Sequence, residues 1–261
     1  MKQLLLIALL TFATPFIGLS ANSFSMDQTE IKALLNGIEP LDFPNNQYFK
    51  EVTEKTQVCL HHTASGKGIS GDHRQFLKPG KICTPIIIGA DSIYQLHSSR
   101  FWGYHLGIKS NVFAQHDIAY QNLNKVCIGV EIDNWGALKH IDGEYRAWPN
   151  DYGTGNRLDS KGKRLKVVVD STEVIHYPEG YRGYEYYQRY TDYQIQSTTK
   201  LLKYWNHVYN IPLTYNEDMW DLSMNALKGS PGVYTHTSYR SDKSDCHPQP
   251  NLISALKSLN T

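Results

Sequence analysis

The sequence carries almost no excess of either charge: 26 Lys and Arg stand against 25 Asp and Glu, a formal +1 over 261 residues. A protein held on nucleic acid by a basic field needs a surplus of cations, so that class is set aside. Cysteine is scarce as well, four in all, at 59, 83, 127 and 246. This is no disulfide-dense miniature scaffold, and a packed core must hold the fold. Four cysteines allow three pairings, and the sequence chooses none of them. His-Glu-x-x-His, the helical signature of many zinc peptidases, is missing.

Long apolar runs are missing too, with one exception at the start. Lys2 is followed by Leu4 to Leu10 and then Phe12, Phe16 and Ile17, with Gly18 and Ser20 just ahead of Ala21. That order reads as a secretory signal peptide over residues 1–20, cleaved before Ala21. Thr11, Thr14 and Pro15 interrupt the run, which is short for a spanning helix; a retained membrane anchor is the alternative. No cysteine follows the run, so a lipid-anchored exit is not indicated, and losing Lys2 leaves a formal charge of zero. The mature chain is expected to be exported, periplasmic or secreted.

What the chain has is tyrosine, 18 against 8 Phe, in an ordinary globular mix of 41% apolar and 20% charged residues. Tyrosine makes flat, wettable surfaces for sugars and peptides and also fills cores whose edges meet water. The length suits one large domain or a domain with an appendage.

In chain order, Ser25 to Leu35 has helical spacing at Ile31, Leu34 and Leu35 behind a cap at Ser25 or Asp27. After a Pro/Asn loop, Gln57-Val58-Cys59-Leu60-His61-His62 reads as a strand running into Thr63-Ala64-Ser65-Gly66. Alternation puts Cys59 and His61 on one face and Val58, Leu60 and His62 on the other. A histidine at such a place is either a ligand on a rigid support or a hydrogen-bonded structural residue. Thr84 to Ile88 and Ile93 to Leu96 form a hairpin with its proline at the strand start. Phe101-Trp102-Gly103-Tyr104-His105-Leu106-Gly107 is a Gly-rich aromatic loop, a close approach to a ligand or an ordinary turn over buried rings.

Val126 to Asn134 is the strongest strand, with Val126, Ile128, Val130 and Ile132 on one face and Cys127, Gly129, Glu131 and Asp133 on the other. A carboxylate amid such apolar neighbours is costly unless paired or functional, which marks Glu131. Residues 136–190 are polar and rich in Gly and Tyr, and read as a long excursion at the rim of a site, with Val167 to Val169 as an edge strand. Thr191 and Gln194 make a capping box for a packing helix that ends near Asn210, and Leu252 to Leu259 is a last amphipathic helix. Between them, behind the Gly229 to Gly232 turn, Thr235 to Pro248 crowds His236, Asp242, Lys243, Asp245, Cys246 and His247 into one loop. Nitrogen, carboxylate and thiolate donors so close together suit zinc, although a polar surface loop has the same composition.

Four fragments, Leu60-His61-His62-Thr63-Ala64-Ser65, Gly103-Tyr104-His105-Leu106-Gly107, Ile128-Gly129-Val130-Glu131 and His236 with Lys243-Ser244-Asp245, together resemble the type-2 N-acetylmuramoyl-L-alanine amidases, the family that includes phage amidases and peptidoglycan recognition proteins. The resemblance spans roughly residues 53 to 258, leaving 21–52 as a lead-in helix and loop before an amidase domain over 53–261. It implies a single α/β domain with a central mixed sheet flanked by helices and a zinc site at the strand ends. It implies Zn2+ held by His61, His236 and Asp245, Glu131 as the carboxylate that activates water, and Lys243 as the cation that stabilises the transition state. His105 matches a cleft-lining histidine, and Trp102 in the same loop is its companion as a substrate contact. Two neutral imidazoles and a carboxylate would leave a fourth zinc position open to water.

This chain departs from the pattern twice. Thr84 stands where phage-type members place a tyrosine, and Cys246-His247-Pro248 follows Asp245, so Cys246 rivals Asp245 as third ligand. Cys59 and Cys127 share strand faces with His61 and Glu131, as a disulfide if the strands are neighbours or as two buried thiols. The implied activity is hydrolysis of the amide between N-acetylmuramic acid and L-alanine by a monomer. The alternatives are a non-catalytic peptidoglycan-binding protein on the same fold and a zinc peptidase of other specificity.

Overall fold

A computed structural model describes residues 26–66, 68–147, 162 and 167–260. The signal-peptide reading over 1–20 lies outside the described residues, as do Trp148-Pro149-Asn150 and Gly153-Thr154-Gly155. The chain opens with α1 (Gln28–Asn36), started by Asp27, whose side chain accepts from Glu30 N while Glu30 reaches back to the Asp27 backbone. The short strand β1 (Ile38–Pro40) and the long strand β2 (Gln57–His62) follow, then α2 (Ser70–Phe76). β3 (Ile86–Ile88) and β4 (Ile93–Gln95) form the expected hairpin. After α3 (Ser110–Gln115) comes β5 (Cys127–Ile132). The chain ends with α4 (Asp192–Tyr209), α5 (Met224–Leu227), β11 (Gly232–Thr235) and α6 (Pro250–Lys257).

Six of these strands make the central sheet in the order β1-β4-β3-β5-β2-β11. Only β3 with β4 is antiparallel, so the sheet is mixed. Every residue of β2 is buried, as a strand covered on both faces must be. On one face Val58, Leu60, Ile86, Ile88, Ile128, Val130 and Ile132 meet Ile195, Leu201, Leu202 and Trp205 of α4 and Leu252 and Leu256 of α6. The spacing of those α4 residues is helical, and the Thr191–Gln194 capping box starts the helix there. The other face carries Cys59 and Cys127 under Leu106, Phe113, Tyr234 and Tyr239. The two helices therefore seal one side and leave the other, at the C-terminal ends of β2, β5 and β11, to polar residues.

The described part of the excursion over 136–190 is not a loop. It folds into β6 (Ala137–Ile141), β7 (Glu144–Ala147), β8 (Val168–Val169), β9 (Val174–Tyr181) and β10 (Tyr184–Gln188), a second, antiparallel sheet in the order β8-β7-β6-β10-β9. Val168–Val169 is an edge strand as expected, but of this sheet. Two-residue turns close its hairpins: Asp142-Gly143 at φ 53° and 78°, and Arg182-Gly183 at φ 50° and 83°. Successive left-handed residues of this kind match the twist of paired strands. One face buries Ala137, Ile175 and Tyr187 with Tyr177, Tyr181 and Tyr184 around them, the other Leu138, Ala147, Val169 and Val174.

Candidate metal centre

β2 and β11 are parallel neighbours, and β2 in turn pairs with β5 so that His61 lies beside Glu131. The first residue after β11 is His236. The chain then turns through 237–244 and returns Asp245, whose carbonyl accepts from Thr237 N at 3.1 Å. Three donor atoms meet as a result. His61 Nδ1 is 3.0 Å from His236 Nδ1 and 3.1 Å from Asp245 Oδ2, and His236 Nδ1 is 2.9 Å from the same oxygen. Around an ion with bonds of about 2.0–2.1 Å, tetrahedral ligands stand roughly 3.3 Å apart, so the triangle needs to open by only a few tenths of an ångström.

The outer nitrogens of the two rings show what occupies the inner ones. His236 Nε2 is 2.9 Å from the carbonyl of Leu106, which can only accept, so Nε2 carries the hydrogen. His105 Nε2 likewise faces the Cys127 carbonyl at 3.2 Å, which leaves His105 Nδ1 as an acceptor for His61 Nε2 at 3.0 Å. In the neutral rings both inner Nδ1 atoms therefore present lone pairs to an oxygen of Asp245. Burial, then His236, pushes His61 down to about 4, so that ring is neutral at neutral pH. Burial works to raise Asp245, but His236 and His61 beside it hold it well below the usual range, and it is ionised. Three donor atoms about 3 Å apart repel unless a hydrogen or a cation lies among them. The donor set of two imidazoles and a carboxylate fits zinc.

A second group, Cys59 with His61 and His105, is also close enough to hold an ion. It fits less well. The Cys59 thiol is fully buried and held protonated by that burial, and both His105 nitrogens have partners. The structure thus gives His105 a different place from the one expected of a cleft-lining residue: it hydrogen-bonds His61 and fixes its tautomer.

Glu131 projects from the same face of β5, and its Oε2 is buried without a hydrogen-bond partner among the described residues. Burial, then the charge of Asp245, pushes its carboxyl well above the ordinary value, with the Lys243 ammonium pulling the other way. Lys243 is half-buried, on the turn between His236 and Asp245. Cys246 does not face the cluster. Its thiol donates to Tyr190 Oη at 2.7 Å within the core under α4 and α6. Trp102 does not reach the site either. Its ring is buried at 3.9 Å from that of Phe49, and its indole N–H donates to Glu51 Oε2 at 3.0 Å, so the expected substrate contact is corrected to a packing role. Strand pairing does bring Cys59 and Cys127 to neighbouring strands, but in offset register, and all four cysteines are free thiols. Thr84 is buried behind Gly129, its methyl 2.5 Å from where a Cβ on that glycine would stand.

Against known proteins, residues 52–250 match the Amidase_2 family, described as N-acetylmuramoyl-L-alanine amidase. The chain belongs to this family, whose members hydrolyse amide bonds of peptidoglycan. Among solved structures it is similar to PlyL, at 12% identity and a TM-score of 0.45, with 86% of this chain and 99% of that one covered. It is also similar to the amidase LysC from Clostridium intestinale URNW, at 13% identity and a TM-score of 0.44 over 85% of this chain and 97% of that one. A third is the hydrolase AmiA of Staphylococcus aureus in complex with its ligand, at 11% identity and a TM-score of 0.44, with 90% and 91% covered. Comparison with curated proteins found no match. No helix among the described residues is long and apolar enough to cross a membrane.

Proposed function

We propose that this chain is an exported, monomeric, zinc-dependent N-acetylmuramoyl-L-alanine amidase that cuts the amide between N-acetylmuramic acid and L-alanine in peptidoglycan. The observation that carries the proposal is the triangle of His61, His236 and Asp245, three lone-pair donors within 3.1 Å of one another. Bound zinc would supply Lewis acidity, which brings the pKa of water toward about 7 and polarises a carbonyl. Glu131, a carboxyl of raised proton affinity one strand from His61, takes the proton from the attacking water and delivers it to the departing L-alanine amine. Lys243 offsets the negative charge that grows on the carbonyl oxygen. His105 and the Leu106 carbonyl keep the two imidazoles in the required tautomers.

Digestion of purified cell wall with the protein, with and without a chelator, tests this reading. Free amino termini of L-alanine on intact glycan strands, abolished by the chelator and restored by zinc, are expected. Binding without new termini would make it a non-catalytic peptidoglycan-binding protein, and cleavage only within the stem peptide would make it a peptidase.

A further inference from the structure

His61 sits inside a strand, fixed by ladder hydrogen bonds, and His236 follows directly on a strand whose ladder ends at Thr235. Asp245 lies outside any strand: residues 240–249 are in turns and irregular backbone, and its main chain is tied back by the Thr237 N–H, which its carbonyl accepts at 3.1 Å. A ligand on an unsupported loop wanders, and an ion is held well only if its donors are already in place. That one main-chain bond leaves Cys246 and His247, which follow Asp245, to be held from elsewhere.

The second sheet is in contact with it. His247, two residues past Asp245, is fully buried and held at both ring nitrogens. Its Nε2 donates to the Gln188 carbonyl at the end of β10, at 2.9 Å. Its Nδ1 is thereby the acceptor, and takes the hydrogen of Tyr177 Oη from β9, at 2.8 Å. The ring lies between those of Tyr190, stacked at 4.3 Å, and Tyr187, at 4.7 Å. Tyr181 Oη, at the end of β9, is 3.3 Å from the Cys246 carbonyl.

The Tyr190 hydroxyl, two residues beyond β10, joins the network. It accepts from His247 N at 3.1 Å and from Cys246 Sγ at 2.7 Å, and it faces His62 Nδ1 at 3.0 Å. With both acceptor positions taken, its own hydrogen goes to His62, the residue that follows His61 in β2. The hydroxyl is fully satisfied, and every polar group of the loop it touches has a partner; a buried network in that condition is rigid.

We infer that the second sheet and the segment leading out of it are a clamp for the metal site: Tyr177 and Tyr190 are positioning residues that hold the Asp245-Cys246-His247 loop against β2 and β11. The inference rests on the reading of His61, His236 and Asp245 as zinc ligands. The tyrosine richness of this segment then has a mechanical use, since the hydroxyls of Tyr177, Tyr181 and Tyr190 bond to the loop from rings that are themselves packed. Tyr177 and Tyr190 bond to His247, Cys246 and His62 rather than to the three donor atoms, and so act through Asp245.

The test compares Tyr177→Phe and Tyr190→Phe with Tyr145→Phe, which lies on the opposite face of the same sheet among the residues around Leu138. For each purified protein, zinc affinity is measured by chelator competition, and the stability of the metal-free form by urea unfolding. Loss of a group that orients a ligand typically weakens metal binding about 10–100-fold. That loss is expected for Tyr177→Phe and Tyr190→Phe, beyond any change in metal-free stability, with Tyr145→Phe unchanged. Wild-type zinc affinity in both variants overturns the clamp and leaves the zinc site standing. So does a loss of metal-free stability with no separate loss of affinity. A wild-type protein that binds no zinc overturns the zinc site itself. If Tyr190→Phe does not fold, Tyr177→Phe, which removes one hydroxyl and keeps its ring, decides alone.

Discussion

At the scale of single residues, Glu131 and Lys243 separate binding from chemistry. Glu131→Gln keeps shape and removes the proton carrier, so cell-wall hydrolysis should fall by roughly 100-fold or more with zinc content unchanged. Lys243→Ala should fold, keep zinc and lose about 100-fold or more in rate, as the loss of a positioned oxyanion donor does; a metal-free or unfolded variant would remove it from that role. The rivalry between Asp245 and Cys246 has an equally direct measurement. Asp245→Ala should purify without zinc, whereas Cys246→Ser, whose side chain faces Tyr190, should carry about one zinc per chain by elemental analysis. Residue types marked Glu131 in its apolar strand and the loop that carries His236 and Asp245, whereas the grouping of His61, His236, Asp245, Glu131 and Lys243 came from the family resemblance of four separate fragments. Residue types misplaced Trp102, since an aromatic beside glycines looks the same whether it faces a cleft or, as here, Phe49 and Glu51. The Leu106 carbonyl that sets the His236 tautomer was beyond reach, as a main-chain oxygen has no sequence signature.

At the scale of elements, the legible strands were those with one side-chain pattern from end to end. β2, β3, β4 and β5 fall where alternation and apolar runs put them, and α4 starts at its capping box. The second sheet was read as a loop because tyrosines fill both of its faces, so period-two alternation of apolar and polar residues is blurred. Its signal lay in the turns, where Asp142-Gly143 is among the strongest short-range hairpin marks. Within β5, Gly129 has a similarly local meaning. A Cβ there would stand 2.5 Å from the Thr84 methyl and 2.9 Å from His105 Nδ1, the atom that bonds to His61. Gly129→Ala should therefore cost about 1–3 kcal/mol of stability through overpacking. It should also weaken zinc binding about tenfold or more by displacing His105. Urea unfolding of the metal-free protein and chelator competition read the two effects separately, and a variant with normal zinc affinity would show that His105 does not orient His61.

For the whole molecule, buried histidines tie stability to pH. His97 is buried among Phe43, Tyr48 and Cys83, away from the metal ligands, and burial lowers it from 6.5 to about 4. The unfolded chain takes up its proton first, so the contribution of His97 is complete above about pH 6.5 and lost as pH falls toward 4. At most about 3 kcal/mol is at stake, from a shift of that size. The metal-free wild type should lose stability between pH 7 and 5 more steeply than His97→Gln, by urea midpoints; parallel profiles would place the sensitivity elsewhere. Asp72, raised to about 6 by burial, works in the opposite direction over the lower part of that range and flattens the total without altering the difference between the two proteins. The four unpaired thiols offer a further handle on the molecule as a whole. Each is at most 3% exposed, and they lie in three different packed regions: Cys59 and Cys127 beneath Tyr239, Cys83 beside His97, and Cys246 against α4 and α6. Alkylating reagents can reach such groups only when the structure opens. Mass spectrometry of the labelling rate at each cysteine would therefore act as a set of clocks distributed through one fold. Common rates would report unfolding of the domain as a unit, and a fast Cys246 would report release of the loop that carries Asp245 while the sheet stays closed.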